Sequence, residues 1–198
     1  MGQSNFALAH KFTSYWEGGL SDHPADKGGV TAYGASLEFV KDIASTASGR
    51  NFLQSIQVQL PVTRATILAL NRDQVATMFR REFWDKLGLD RFAFRQALLL
   101  YDAAVSHGPK RAVILSQRGY KKIVGYGVPL IVDGVIGPKT IAALNQDTDA
   151  LVKAIVQARR DYYDAIVASN PGQRAFYKGW INRSDALERR ALGGDNGL

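Results

Sequence analysis

Apolar residues recur at helical spacing along almost the whole chain, and the places where the period fails are as informative as the places where it holds. Phe6, Ala9, His10, Thr13 and Trp16 fall on one side of a helix, with Ser4 or Asn5 placed as its N-cap and Glu17 as its last residue. Gly18 or Gly19 then suits the left-handed stop that closes many helices. Ser36 predicts the cap of a second helix, whose stripe is Leu37, Val40, Ala44 and Ala47 and whose end is Gly49. Residues 50 to 62 carry little period, with 58 to 61 a short extended piece, and 63 to 70 read as an amphipathic helix. Asn71 and Gln74 stand at capping-box spacing ahead of Val75, Met78, Phe79 and Phe83, a core stripe rather than a cofactor site.

The most apolar helix spans 92 to 106, with Phe94, Ala97, Leu98, Tyr101 and Val105 on one face and Leu99 and Leu100 beside it. A helix apolar on most sides belongs at the centre of a fold. Asp102 lies within it and has two readings, a structural hydrogen bond or a role in a cleft. Gly108-Pro109 ends it. A further helix covers 111 to 122, a turn region 125 to 129, and a short helix 140 to 144. A long helix capped near Asp147 or Thr148 follows, with the stripe Leu151, Ile155, Ala158, Tyr162 and Ile166, closed by Asn170-Pro171. The last helix carries Phe176, Trp180 and Leu187. The fold class expected is all-α, with no internal repeat and no low-complexity linker.

The period breaks most sharply over residues 16 to 34, nineteen residues with five glycines and three carboxylates. Two Gly-Gly pairs in so short an interval predict a shaped loop, because glycine serves where the chain turns through positive φ or another group approaches the backbone. Glu17 faces the negative end of the preceding helix dipole beside Tyr15 and Trp16, a setting suited to a general acid; the plainer reading is a solvated helix-terminal glutamate.

Composition narrows the chemistry. The 198 residues make one ordinary domain, or one with a small second lobe, and 46% of them are hydrophobic. There are no cysteines, and the three histidines at 10, 23 and 107 are scattered, so no metal and no other cofactor is expected. Lysine and arginine total 25 against 18 acids, a net charge of +7. The pairs Arg80-Arg81, Lys110-Arg111, Lys121-Lys122, Arg159-Arg160 and Arg189-Arg190 are dispersed and read as solvated helix faces. No docking motif or basic stripe with interleaved aromatics points to nucleic acid. An anionic cell envelope fits the charge better, since a positive surface speeds encounter with it. No signal-peptide pattern and no apolar run of about eighteen residues is seen, so synthesis in the cytoplasm without membrane insertion is expected; the chain is also expected to be a monomer.

Glu17-Gly18-Gly19, then Pro24-Ala25-Asp26, Gly28-Gly29, Thr31 and Tyr33-Gly34, resembles the opening signature of glycoside hydrolase family 108, the muramidases of phage endolysins and related bacterial proteins. The resemblance continues through Phe83-Trp84-Asp85, the segment from Asp102 to Ala112 with Ser106 and His107-Gly108-Pro109, the segment from Asp133 to Thr140, and Gly179-Trp180-Ile181-Asn182-Arg183. Lys27, His23 and Ser106 stand where proline, aspartate and asparagine are common. The resemblance implies a lysozyme-like two-lobed fold with a central apolar helix and a Gly-rich active-site loop. It implies cleavage of bacterial peptidoglycan at the β-1,4 bond between N-acetylmuramic acid and N-acetylglucosamine, with Glu17 as the acid. The spacing of Glu17, Asp26 and Thr31 is also similar to the Glu, Asp, Thr arrangement of phage-type lysozymes, which implies a base and a water-positioning hydroxyl. Asp22 is the alternative base, and Asp26 has a plainer reading as a turn residue. Tyr33 is a candidate for stacking on a sugar, and Asp102 and Ser106 for substrate contacts.

Asp133-Gly134-x-x-Gly137-x-x-Thr140 resembles an element of peptidoglycan-binding modules and makes Asp133 a further substrate-binding candidate; equally it is a loop turned by glycines with Pro138 opening a helix. The expected organisation is a catalytic lobe over 1–125 and a peptidoglycan-binding-like segment over 126–198, packed as one globular unit. A phage or prophage endolysin acting in the periplasm or wall after release is the expected setting. The rivals are a silent peptidoglycan-binding or phage structural protein and a basic helical DNA-binding domain.

Overall fold

The computed structural model describes residues 4–21, 30–125 and 129–193. The chain forms two compact units, one of His10–Glu82 and one of Met1–Ala9 with Phe83–Leu198. The described residues are mainly helical, with three two-residue strands as their sheet, so the all-α expectation holds. Among them no helix is long and apolar enough to cross a membrane.

Helix α1 (Asn5–Glu17) starts where Ser4 Oγ accepts from the Ala7 N–H at 3.3 Å and stops at Gly18, whose φ is +81°. Both ends follow from local chemistry, an oxygen for an unpaired N–H and a residue free to turn left-handed.

In the unit of residues 10–82, the stripe read as one helix through Ala47 is divided. Helix α2 (Leu37–Ala44) is capped by Ser36, which accepts from the Phe39 N–H at 3.1 Å, and it ends before a new cap, Thr46, opens α3 (Ala47–Ser55). Gly49 does not end a helix. It lies inside α3, where a Cβ would meet the Ile43 carbonyl oxygen at 1.7 Å, so the close approach of the two helices requires glycine. Helix α4 (Arg64–Leu68) is shorter than read, and α5 (Arg72–Phe79) begins with the capping box of Asn71 and Gln74. Gln74 Nε2 also donates to Ile56 O at 3.0 Å, fastening the end of α3 to the start of α5. The core holds Phe12, Val40, Ile43, Leu53, Ile67, Val75, Met78 and Phe79. Burying side chains of this size contributes about 1.5–3 kcal/mol each.

In the other unit, a π-helical turn (Arg80–Asp85) leads in, and Trp84 is fully buried. Trp84 Nε1 donates to Asp90 Oδ1 at 2.9 Å, and its ring stands edge-on to Phe6 and Tyr101 with centroids 5.6 and 5.7 Å away. Helix α6 (Phe94–His107) is buried continuously from Gln96 to Ala104 and is the apolar centre of this unit. Helix α7 (Pro109–Val124) follows directly, then α8 (Pro138–Leu144), α9 (Asp149–Ser169) and α10 (Arg174–Ala191). The largest helix pairing is α7 on α9, then α6 on α7 and α9 on α10. Gly119 permits the first: a Cβ there would stand 2.6 Å from the Ile155 Cα.

The stripe of α9 differs from the one read. Tyr163 and Val167 are buried where Tyr162 and Ile166 were expected, because the buried face follows 155, 159, 163 and 167 at steps of four. That face includes Arg159, so the Arg159-Arg160 pair is not a solvated one. Arg160 Nη2 meets Asp185 Oδ1 at 2.6 Å and Glu188 Oε2 at 2.7 Å on α10. Phe176, expected in the core, is 58% exposed.

Candidate active site

Glu17 closes α1, and a small hairpin is laid beside it. Strand β1 (Leu20–Ser21) pairs antiparallel with β2 (Thr31–Ala32), and β2 with β3 (Ala35–Ser36), with Ala32 opposite Ala35 and Thr31 opposite Ser36. The two residues between, Tyr33 and Gly34, have φ of +52° and +89°. Two positive values in a two-residue hairpin loop give the turn whose twist suits the strands, and glycine or asparagine is its usual occupant. Tyr33 is therefore strained.

Two contacts set this turn against Glu17. The Tyr33 N–H donates to Gly19 O at 3.2 Å. A Cβ on Gly34 would stand 2.9 Å from the Glu17 Cβ, 3.2 Å from its Cγ and 3.4 Å from Phe79 Cζ, so the backbone at 34 is packed on the glutamate stem. Glu17 Oε1 has almost no exposed surface. Trp16 is half-buried, while Tyr15 is 64% exposed and covers little. Thr31 is half-buried on β2. Asp22, His23 and Asp26 lie outside the described residues. The structure thus brings Glu17, Tyr33 and Gly34 into one cluster, to which Arg72 adds its guanidinium carbon 4.6 Å from the Tyr33 ring centroid.

Asp102 and Ser106, read as substrate contacts, belong to the other unit. Asp102 is fully buried in the other unit and held by two cations: Arg159 Nη1 at 2.5 Å from Oδ2, and Arg183 Nη2 at 2.7 Å from Oδ1. Burial alone would raise this carboxyl, but Arg183 and Arg159 outweigh it and hold it far below the usual carboxylate range. Both oxygens are committed to these arginines, the structural bonding that was one of its two readings. Ser106 Oγ donates to Asp102 O at 2.9 Å and accepts from Arg159 Nη2 at 3.4 Å, joining the same network. Arg159 Nε also donates to the Tyr163 hydroxyl at 2.9 Å, and His107 Nε2 is 2.9 Å from that hydroxyl. Burial first, then the positive charge of Arg159, pushes His107 down to about 3.

Asp133 shapes its own loop. Its Oδ1 accepts from Val135 N at 2.8 Å and from Gln117 Nε2 at 2.9 Å, while Gln117 Oε1 accepts from Gly134 N at 2.9 Å. The buried Gln117 also donates to Thr140 Oγ1 at 3.2 Å and organises the whole Asp-Gly-x-x-Gly-x-x-Thr element. It escaped the sequence reading because a glutamine mid-helix carries no signal of its own. Arg183 lay within a recognised motif, but Arg159 was hidden in an ordinary basic pair. Among the described residues no group of three or more His, Asp or Glu is arranged to hold a metal.

Comparison with known proteins agrees with the opening motif. The family model described as Glycosyl hydrolase 108 matches residues 10–108, and one described as Predicted Peptidoglycan domain matches residues 111–185. Among curated proteins none matches this chain. A solved structure titled "Structure of Brucella abortus SagA" is similar over 98% of both chains, at 29% identity and a TM-score of 0.68. With half its length under the first model, Glu17 included, the chain belongs to glycosyl hydrolase family 108, a glycoside hydrolase joined to a predicted peptidoglycan domain.

Proposed function

We propose that this chain is an N-acetylmuramidase, cutting the β-1,4 bond from N-acetylmuramic acid to N-acetylglucosamine in peptidoglycan. The observation that supports it most is Glu17, a helix-terminal carboxylate with one shielded oxygen, its stem backed by the glycine of a strained turn. Glycoside hydrolysis needs a proton for the leaving oxygen and an opposing group at the anomeric carbon. Glu17 gives its proton to O4 of N-acetylglucosamine as the bond to C1 of N-acetylmuramic acid breaks. Asp26, or Asp22 in its place, takes a proton from the water that attacks C1, and the Thr31 hydroxyl orients that water. Glu17 is left ionised and the aspartate protonated, and exchange with solvent restores both. Tyr33 stacks on a sugar.

The peptidoglycan domain match over residues 111–185 supports the polymer as substrate, and the net charge of +7 supports encounter with an anionic wall. The setting we infer is lysis by a phage or prophage endolysin, the enzyme reaching the wall after release from the cytoplasm. Glu17→Gln should abolish release of fragments from purified peptidoglycan while the melting temperature stays near wild type, and mass spectrometry should find the new reducing end on N-acetylmuramic acid. Normal turnover by the variant would mean that another group is the acid. Unchanged wall binding by a wild type that releases nothing would favour a silent binding protein. Asp26→Asn should also lose most activity. A first product in the α configuration, seen by NMR, is expected of an inverting enzyme, whose carboxylates stand roughly 6.5–9.5 Å apart.

A further inference from the structure

The turn against Glu17 carries a contact that hydrolysis as drawn above does not use, the Arg72 guanidinium over the Tyr33 ring. Tyr33 keeps a backbone conformation, φ +52°, that bulky residues seldom adopt, and such strain persists where the surroundings fix it and often where a ligand is handled. Its N–H is tied to Gly19 O, and its ring is covered by the Arg72 guanidinium at 4.6 Å. Arg72 is exposed, at the first position of α5. Asn71 and Gln74 cap that helix without it, at 2.9 and 3.0 Å, so helix initiation does not explain the arginine. Among the described residues no carboxylate pairs with it, and its side-chain partner is the Tyr33 ring. A guanidinium over a ring face keeps its N–H fork for a planar anion, the geometry in which arginine binds carboxylates bidentately.

The geometry points to Arg72 as a specificity-determining residue that binds a carboxylate carried by the muramic acid residue of the substrate. This rests on Glu17 being the acid of a peptidoglycan hydrolase. In that polymer N-acetylglucosamine is neutral. N-acetylmuramic acid bears a lactyl group whose carboxyl is free in peptide-stripped glycan and otherwise carries a stem peptide with carboxylates of its own. A sugar on the open side of Tyr33 would bring either group towards the guanidinium, so Arg72 would tell muramic acid from its neutral neighbour.

The test uses the full chain with kcat and KM separated on intact peptidoglycan and on glycan strands stripped of peptide. Binding of the same saccharides, and of uncharged chitooligosaccharide, is measured on Glu17→Gln protein, so that no turnover is needed. Arg72→Gln should raise KM and weaken binding of carboxylate-bearing saccharides roughly ten- to hundredfold, the effect of one hydrogen-bonded charge, with kcat and chitooligosaccharide binding little changed. Arg72→Lys, which keeps the charge and loses the fork, should fall between. A loss on both glycans assigns the lactyl carboxylate, and a loss on intact peptidoglycan alone assigns the stem peptide. Equal losses on charged and neutral saccharides would overturn the proposal in favour of Arg72 merely propping Tyr33, and no loss on any would overturn it outright. Full turnover by Glu17→Gln would refute the acid assignment while the binding comparison still decides Arg72.

Discussion

A side chain at position 34 cannot coexist with Glu17 where it stands, since a Cβ on Gly34 would lie 2.9 Å from the Glu17 Cβ. The φ of +89° at Gly34 also disfavours any L residue. Gly34→Ala should therefore cost about 1–3 kcal/mol of stability through strain alone. Activity should fall further than stability, because relief of the contact moves the glutamate. Paired melting and turnover measurements check this, and full activity with unchanged melting would show that the turn does not position Glu17.

Asp102 is buried between Arg159 and Arg183. Removing the carboxylate leaves buried cations uncompensated, so Asp102→Asn should destabilise by about 3–5 kcal/mol, a value typical of broken buried pairs. Replacing Asp102, Arg159 and Arg183 together by apolar residues of similar size should cost much less. Chemical denaturation separates the two outcomes, and near-wild-type stability of the single variant would show that the triad is dispensable.

His107 gives an acid dependence. Its folded pKa is pushed down to about 3 by burial and Arg159, against about 6.5 when unfolded. The unfolded chain therefore takes up this proton first, and stability present above pH about 6.5 falls on acidification at up to about 1.4 kcal/mol per pH unit. Asp102, held low by its arginines, adds its own loss only below the ordinary aspartate range, about pH 3.9. Melting of His107→Gln should decline less between pH 6.5 and 4 than wild type, and identical slopes would remove His107 as the cause.

Helices α9 and α10 bury their apolar faces on α6 and α7 in one compact unit. Residues 126–198 expressed alone lose those partners, and a piece of this size has no cysteine with which to staple a small core. We expect a fragment that melts without cooperativity and does not sediment specifically with cell walls. A cooperative transition with wall affinity would show an autonomous binding domain.

The sequence by itself determined what short-range chemistry determines. The stops and starts at Ser4, Gly18, Ser36, Asn71, Gly108 and Thr148 were legible because a cap is satisfied within three or four residues of itself. The apolar centre at α6 and the glutamate at the end of α1 were legible for the same reason, and the glycine motif pointed to the family. What only the tertiary structure decided depended on partners far along the chain. The stripe of α9 reads with Tyr162 inward, and packing against α6 and α7 buries Tyr163 instead. Gly49 marks a close approach to Ile43 across the break between two helices, which reads in one dimension as a helix end. Asp102 had two readings until its cations were found 57 and 81 residues away. Nothing local distinguishes Arg159 from Arg160, or Arg72 from any surface arginine. A charge is assigned its role by what stands opposite it in space, and folding brings that partner from a distance over which sequence pattern carries no phase.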